Sequence, residues 1–374
     1  MFGNHQQKSL SVLITVIVAT QVGTLKAQAD DVRQKIDEMI NPLIEKKTHV
    51  GVVVGIINQE SRQVFGYGKV NLKSDTVPDG DTIFEIGSIT KVFTTLLLAD
   101  MSREGLVKLI DPVQSCLPDQ VTMPKWGDTE ITLLDLATHT SGLPRVQMFF
   151  IPADPKNPYA DYTAETLYQF LSKHKLRRAP GKYDYSNLGM GLLGHALACK
   201  ANTSYEQIII QHICEPLGMK DTRITLNDQQ RTRLAPGHTA WKYLGLLPGR
   251  PTSNWDFKAL AGCGAIRSTA DDMLTFLAAN MGLTKTKLLP AMLMCHKKYK
   301  QTDAEFIHIC MGWHTWMLYE HSEEFIFHNG GTGGYCSFLA FSPKSKKGVI
   351  VLTNSAKSVD GEGIAIIKLL IADQ

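Results

Sequence analysis

The stretch Phe84-Glu85-Ile86-Gly87-Ser88-Ile89-Thr90-Lys91 leads into the strongest helical pattern of the chain, which runs through Leu96-Leu97-Leu98 to a glycine stop at Gly105. Ser88 and Lys91 stand three residues apart, so a helix places them on one face, where the amine reaches the hydroxyl. A serine hydroxyl is a poor nucleophile until a base takes its proton, and a desolvated lysine can be that base or tune it. Backbone N–H groups at a helix start also favour negative charge developing on a bound acyl group. Spacing alone is weak evidence, because Ser-x-x-Lys arises by chance about once in a chain this long. It recurs here at Ser172-Lys173-His174-Lys175. There Arg177, Arg178 and Pro180 follow, which reads as a solvated basic surface, whereas Ser88 precedes a deeply apolar helix.

Outward from that helix the pattern changes. Upstream, Val32, Ile36, Met39, Ile40 and Leu43 recur at helical spacing over residues 30–47, predicting an amphipathic helix that bends at Pro42. His49 to Asn58 and residues 62–70 read as two strands joined by a hairpin turn at Asn58-Gln59-Glu60-Ser61. At the far end Phe325–His328, Tyr335–Ser342 and Gly348–Asn354 read as three strands, closed by an apolar-faced helix over residues 361–373. The middle is helical pattern broken by Pro and Gly, including Ile131–Thr138, Ala164–Lys173, Leu188–Lys200 and Ala270–Met281. Terminal strands are satisfied by pairing into one sheet with the helical material resting against it. The expected fold is α/β of the α+β type: an antiparallel sheet flanked by helices, plus an all-helical lobe. The expected sheet lobe spans residues 30–87 and 286–374 and the helical lobe 88–285, with a cleft between them.

Composition narrows the function. The 374 residues are 44% hydrophobic, enough for a large core and unlike a disordered tail or a disulfide mini-scaffold. With 39 basic against 36 acidic side chains, there is no electrostatic footprint for nucleic acid. Met1 to Lys8 carry one Lys and no acid, Leu10 to Ala19 form an apolar run, and Ala27-Gln28-Ala29 is a small-x-small cleavage site. Residues 1–29 therefore read as a signal peptide and the protein as exported, periplasmic or secreted. The alternative, a membrane anchor, is short of the roughly 20 apolar residues that a span requires. The seven cysteines form no CxxC pair and no HExxH accompanies them, so a zinc site is not expected, and buried packing is their default role.

Two further elements carry chemistry. Tyr185-Ser186-Asn187 follows the turn Ala179-Pro180-Gly181 and precedes a helix. A Tyr-x-Asn in a loop offers a phenol for proton transfer and an amide for a lysine or a substrate carbonyl. The plainer alternative is a packed Tyr and an Asn that caps the helix. The third element, His328-Asn329-Gly330-Gly331-Thr332-Gly333-Gly334, has four glycines in five positions at a strand end. They suit a flexible hairpin, or a strand whose backbone approaches a ligand and lends an N–H to an oxyanion hole with the N–H of Ser88.

Together the three elements resemble the serine penicillin-recognising hydrolases: class C β-lactamases, low-molecular-weight DD-peptidases and related esterases. Phe84–Ser88, Leu133–Leu143 and Gly330–Tyr335 are similar to class C sequences, and the likeness covers roughly residues 35–370. It implies that Ser88 is acylated, that Lys91 and Tyr185 share the acid and base roles, and that Asn187, His328, Asn329 and Gly330 contact substrate. It further implies that the N–H groups of Ser88 and Gly331 hold the oxyanion, and that water releases the acyl group without metal or cofactor. His328 stands where the family usually has a permanent lysine cation, and it is charged only below about pH 6.5 unless perturbed. Lys346-Lys347-Gly348 offers a true Lys-x-Gly but reads as a surface turn.

The expected partner is a small molecule or peptide with a carbonyl acyl donor, with β-lactam hydrolysis first. D-alanyl-D-alanine peptide cleavage or ester hydrolysis is the alternative. A non-hydrolysing penicillin-binding module is the rival of another class. A Ser-His-Asp hydrolase is disfavoured, because no serine sits in a Gly-x-Ser-x-Gly elbow.

Overall fold

One antiparallel sheet joins the two ends of the chain in the computed structural model, which describes residues 30–240, 249–317 and 323–372. The expected signal segment, residues 1–29, lies outside the described residues. Strands β1 (Gly51–Ile57) and β2 (Arg62–Gly68) form the N-terminal hairpin. Strands β3 (Phe84–Glu85) and β4 (Arg267–Ser268) pair in a separate two-stranded sheet just before Ser88. β5 (Lys300–Gln301), β6 (Ile307–Ile309), β7 (His314–Trp316), β8 (Phe325–Gly331), β9 (Cys336–Ser342) and β10 (Lys347–Thr353) complete the large sheet. Its order is β2-β1-β10-β9-β8-β7-β6-β5, so β1 lies against β10 with Val52 opposite Thr353. The pairing of the two termini is the one that the apolar runs predict. β8 extends to Gly331, three residues past its expected end, and so carries the glycines into the sheet.

β1 is apolar at nearly every position because both of its faces are covered. Successive strand side chains point to opposite faces. Val52, Val54 and Ile56 join one apolar cluster with Val32, Ile36 and Ile40 of α1 (30–45) and with Ile366, Ile367 and Leu370 near the C-terminus. Val53 and Ile57 join the other cluster, which fills the rest of the molecule. α1 continues past Pro42 to residue 45.

The helices on that second side are α2 (Thr90–Arg103), α3 (Leu133–Ala137), α4 (Ala164–Lys173), α5 (Asn187–Lys200), α6 (Tyr205–Ile209), α7 (Glu215–Leu217), α8 (Asp228–Arg233), α9 (Ala270–Asn280) and α10 (Leu289–Cys295). The last helix, α11 (Asp360–Ala372), supplies the C-terminal residues of the outer cluster. α2 is buried all round from Thr90 to Met101, which explains why its sequence lacks a polar face. Phe93 of α2 stacks on Phe276 of α9, ring centroids 4.3 Å apart. α9 in turn rests on β1 and β10, so part of the stretch expected to be helical leans on the sheet.

A 3₁₀ turn, Lys258–Cys263, crosses α5 where two glycines meet. A methyl group on Gly194 would lie 2.8 Å from the Gly262 Cα, so only bare backbone fits on both sides. That close crossing delivers the Cys263 carbonyl to the buried start of α2. Among the described residues no helix is long and apolar enough to cross a membrane.

Candidate active site

Ser88 sits in the 3₁₀ turn Gly87–Ile89, and Lys91 is the second residue of α2. Ile89 is the N-cap of α2 and no side chain caps it, so the Ser88 hydroxyl is not consumed as a cap. Lys91 is wholly buried. Its Nζ donates to Ser88 Oγ at 2.8 Å and to the Cys263 carbonyl at 2.6 Å, and lies 5.0 Å from the centre of the Tyr185 ring. Two oxygens and one aromatic face thus compensate for the water lost on burying an amine.

Tyr185 is held from its other sides. The His139 ring lies 4.4 Å away, and the Arg145 guanidinium 4.9 Å from the Tyr185 ring centre. His139 Nδ1 accepts the Ser186 N–H at 3.1 Å, which fixes the loop just ahead of α5. Ser186, not Asn187, caps α5: its hydroxyl accepts the Gly189 N–H at 2.8 Å. The alternative role for Asn187, a helix cap, is therefore excluded. Its Oδ1 is buried without a protein partner, as an acceptor kept for a substrate N–H would be.

The end of β8 packs directly on the Ser88 turn. A methyl group on Gly330 would lie 2.1 Å from the Ile86 carbonyl and 3.0 Å from the Ser88 nitrogen, and one on Gly87 would lie 2.5 Å from the Gly331 nitrogen. The glycines serve close backbone approach, and they set the Ser88 turn directly against Gly330 and Gly331. A cleft of about 820 Å³ opens there, walled by Ser88, Tyr185, Asn187, Asn329, Gly330 and Gly331. Lys91 and His328 lie beneath this wall, each at most 1% exposed.

The expectation of a pH-dependent cation at His328 needs correction. His328 Nδ1 donates to the Asn329 carbonyl and its Nε2 is buried without a partner. Burial, with His314 and Lys91 as like-charge neighbours, holds its pKa well below the ordinary histidine value, so the ring is neutral. His314, 5.5 Å away, is pushed down to about 4 by burial and Lys91, and His139 is held well below 6.5 in the same way.

Two results follow. KM for anionic substrates should stay flat between pH 6 and 8, where a titrating His328 would raise it. Stability should fall as pH drops from about 6.5 toward 4, because these rings must charge in the unfolded chain and not in the folded one. His49 and His296, both pushed down to about 4 by burial, add to that loss. Thermal melting across this range reads it directly, and a flat melting profile would show the histidines to be hydrated.

Several cleft residues carried no signal in the sequence. Arg145, Tyr159, Trp255, Asp303 and His314 line it from distant segments. Tyr159, Trp255 and Phe257 form an aromatic wall, with Tyr159 stacked on Phe257 at 5.0 Å. Buried Glu85 ties this wall to the strand before Ser88: its carboxylate accepts from Asn254 Nδ2 at 2.9 Å and the Trp255 N–H at 3.0 Å, and faces Arg267 at 3.3 Å. Burial raises the Glu85 pKa, with Arg267 opposing.

Asn329 Nδ2 donates to Asp360 at 2.8 Å, so a carboxylate already occupies that side of the cleft. Cys336 also lines the cleft, but burial pushes its thiol up to about 12, which removes it as a rival nucleophile. All seven cysteines are free thiols. Lys346 lies in the turn before β10 and donates to the Met281 carbonyl, and Ser172 and Lys173 are exposed at the end of α4. Among the described residues Asp100, Glu104 and His212 form the one group with metal-ligand spacing, which a His212–Asp100 ion pair at 2.8 Å accounts for.

A family model described as Beta-lactamase matches residues 36–373. The D-alanyl-D-alanine-carboxypeptidase/endopeptidase AmpH of Escherichia coli is 28% identical over 91% of this chain and 87% of its own length. A beta-lactamase of Pseudomonas fluorescens is 27% identical over 87% of this chain and 94% of its own. Among solved structures, a beta-lactamase/D-alanine carboxypeptidase from Yersinia pestis superposes with a TM-score of 0.75 at 25% identity, covering 90% of this chain and 98% of its own. A class C beta-lactamase shares the fold with a TM-score of 0.78 at 23% identity, over 91% of this chain and 96% of its own.

Proposed function

Since the chain belongs to the Beta-lactamase family and is a serine hydrolase of the β-lactamase and DD-peptidase type, we propose that it cleaves D-alanyl peptides through an acyl-enzyme on Ser88. The observation that carries this is the 2.8 Å contact between Lys91 Nζ and Ser88 Oγ. In its amine form Lys91 takes the hydroxyl proton as Oγ attacks the carbonyl carbon. The oxyanion that forms sits at the N–H groups of Ser88 and Gly331, and Asn187 Oδ1 accepts the substrate amide N–H. Collapse breaks the C–N bond, and the leaving amine takes its proton from Lys91 by way of the Tyr185 phenol. Water then enters, loses a proton to the same pair and releases the acid, so that Ser88 and Lys91 return to their starting states. Lys91 is the first base in this reading, because it contacts Ser88.

β-Lactam hydrolysis, the first expectation from sequence, becomes the second reading, favoured by the class C likeness around Ser88 and Gly331. The neutral His328 and the Asp360 carboxylate on Asn329 offer no cation to the carboxylate that a β-lactam and a terminal D-Ala share, so the order of the two readings rests on the likeness to the carboxypeptidase/endopeptidase. The reading includes export through residues 1–29, and a sheet lobe and helical lobe divided as the sequence suggests, with the cleft at their junction.

A side-by-side assay of a D-Ala-D-Ala peptide, nitrocefin and a short-chain nitrophenyl ester tests the order. Release of D-alanine is expected to exceed nitrocefin turnover, with both lost in Ser88→Ala. Nitrocefin turnover that outruns the peptide by tenfold or more would make the second reading the right one.

A further inference from the structure

The segment after Arg145 sorts its side chains strictly. Gln147 and Phe150 point inward: Tyr162 Oη donates to Gln147 Oε1 at 2.6 Å, and Phe150 packs edge-on to Tyr162 at 4.9 Å. Met148, Phe149 and Ile151 point out, 52%, 91% and 86% exposed. Phe149 has a φ of +63°, a left-handed conformation that costs a bulky residue energy and that the two inward anchors impose. An aromatic and a β-branched side chain are thus presented to water on a fixed backbone, where single exposed apolar groups are ordinary but a clustered set marks an interaction surface.

Beside them lies a cavity of about 610 Å³ lined by Met148, Phe149, Lys173, Lys175, Arg177 and Arg178. This is the basic run at the end of α4, whose Ser-x-x-Lys spacing carries no chemistry. Asp184, the one acid in the wall, is paired with Arg178 at 3.0 Å. Among the described residues no carboxylate pairs with Lys173, Lys175 or Arg177, and Arg177 reaches instead to Met148 Sδ at 3.6 Å.

We propose that Met148, Phe149 and Ile151, with Lys173, Lys175 and Arg177, form a docking surface for an anionic lipid bilayer. Unpaired cations beside apolar tips match the two layers of such a surface: phosphate headgroups meet the lysines and arginine while the side chains of Phe149 and Ile151 enter the acyl boundary. A soluble acidic protein would satisfy the cations and leave the apolar tips without a partner. Arg145 and Val146, immediately upstream, line the catalytic cleft, so a docked molecule holds its cleft close to the membrane.

Sedimentation of the full chain with phosphatidylcholine vesicles, and with 3:1 phosphatidylcholine:phosphatidylglycerol vesicles, tests this. The expected result is binding to the anionic vesicles that exceeds binding to the neutral ones by at least fivefold and collapses in 0.5 M NaCl. The Phe149→Ser/Ile151→Ser and Lys173→Glu/Lys175→Glu/Arg177→Glu variants should each lose at least fivefold of it, with melting temperature and turnover of a soluble substrate unchanged. Residues 1–29 are present in every variant. Binding that is equal in all of them would assign the affinity to that segment and overturn the proposal, as would a wild type that ignores anionic vesicles or is retained only by a soluble polyanion.

Discussion

Replacing Ser88 by alanine is expected to lower kcat by roughly 10⁴–10⁶-fold on every substrate that the protein turns over, as loss of a catalytic nucleophile does elsewhere. The thermal midpoint should scarcely move. Ser88 is not the cap of α2, and its hydroxyl holds nothing in place beyond one bond from Lys91, which keeps the Cys263 carbonyl as a second partner. A change confined to one partly exposed hydroxyl costs within about 0.5 kcal/mol. Steady-state kinetics and a melting curve on the same preparation check both halves. A variant that retains a tenth of wild-type activity would move the nucleophile elsewhere.

Lys91→Met should be almost as damaging to activity and quite different for stability. The thioether fills the space of the aliphatic stem but cannot take the Ser88 proton, so kcat/KM should fall by about 10²–10⁴-fold, the usual worth of a positioned base. On the stability side two terms oppose. The Cys263 carbonyl loses its donor, which costs about 1–3 kcal/mol. Against this, a wholly buried polar amine no longer has to be stripped of water, a cost of similar size. The two terms nearly offset, so the melting temperature should stay within a few degrees of the wild type. A variant that melts well below the wild type would mean that Lys91 is there chiefly to hold the Cys263 turn on α2.

How much of this was legible in the chain depends on the distance over which each feature is built. Ser88 and Lys91 share one helical face, and Tyr185-Ser186-Asn187 is a single turn, so local spacing exposes both. The two-ended sheet was legible because β1, β9 and β10 are buried on both faces and read as apolar runs. Strands β5, β6 and β7 were not, being two or three residues long with Lys300, Gln301 and His314 among them.

The rest of the cleft depends on assembly. Arg145, Trp255 and His314 come from three separate segments. The Cys263 carbonyl that anchors Lys91 is backbone and leaves no mark in residue type. His328 was found by position, but its charge state is set by burial and by His314 and Lys91, which no spacing reports. Asn187 was ambiguous until Ser186 took the capping role.

The acyl-enzyme itself gives the most direct test. Brief incubation with benzylpenicillin or a fluorophosphonate, acid quench, digestion and mass spectrometry should show one added acyl or phosphonyl mass, on the peptide that contains Ser88, and none in Ser88→Ala. An adduct on any other residue, or hydrolysis that proceeds while Ser88 never carries one, would contradict the mechanism.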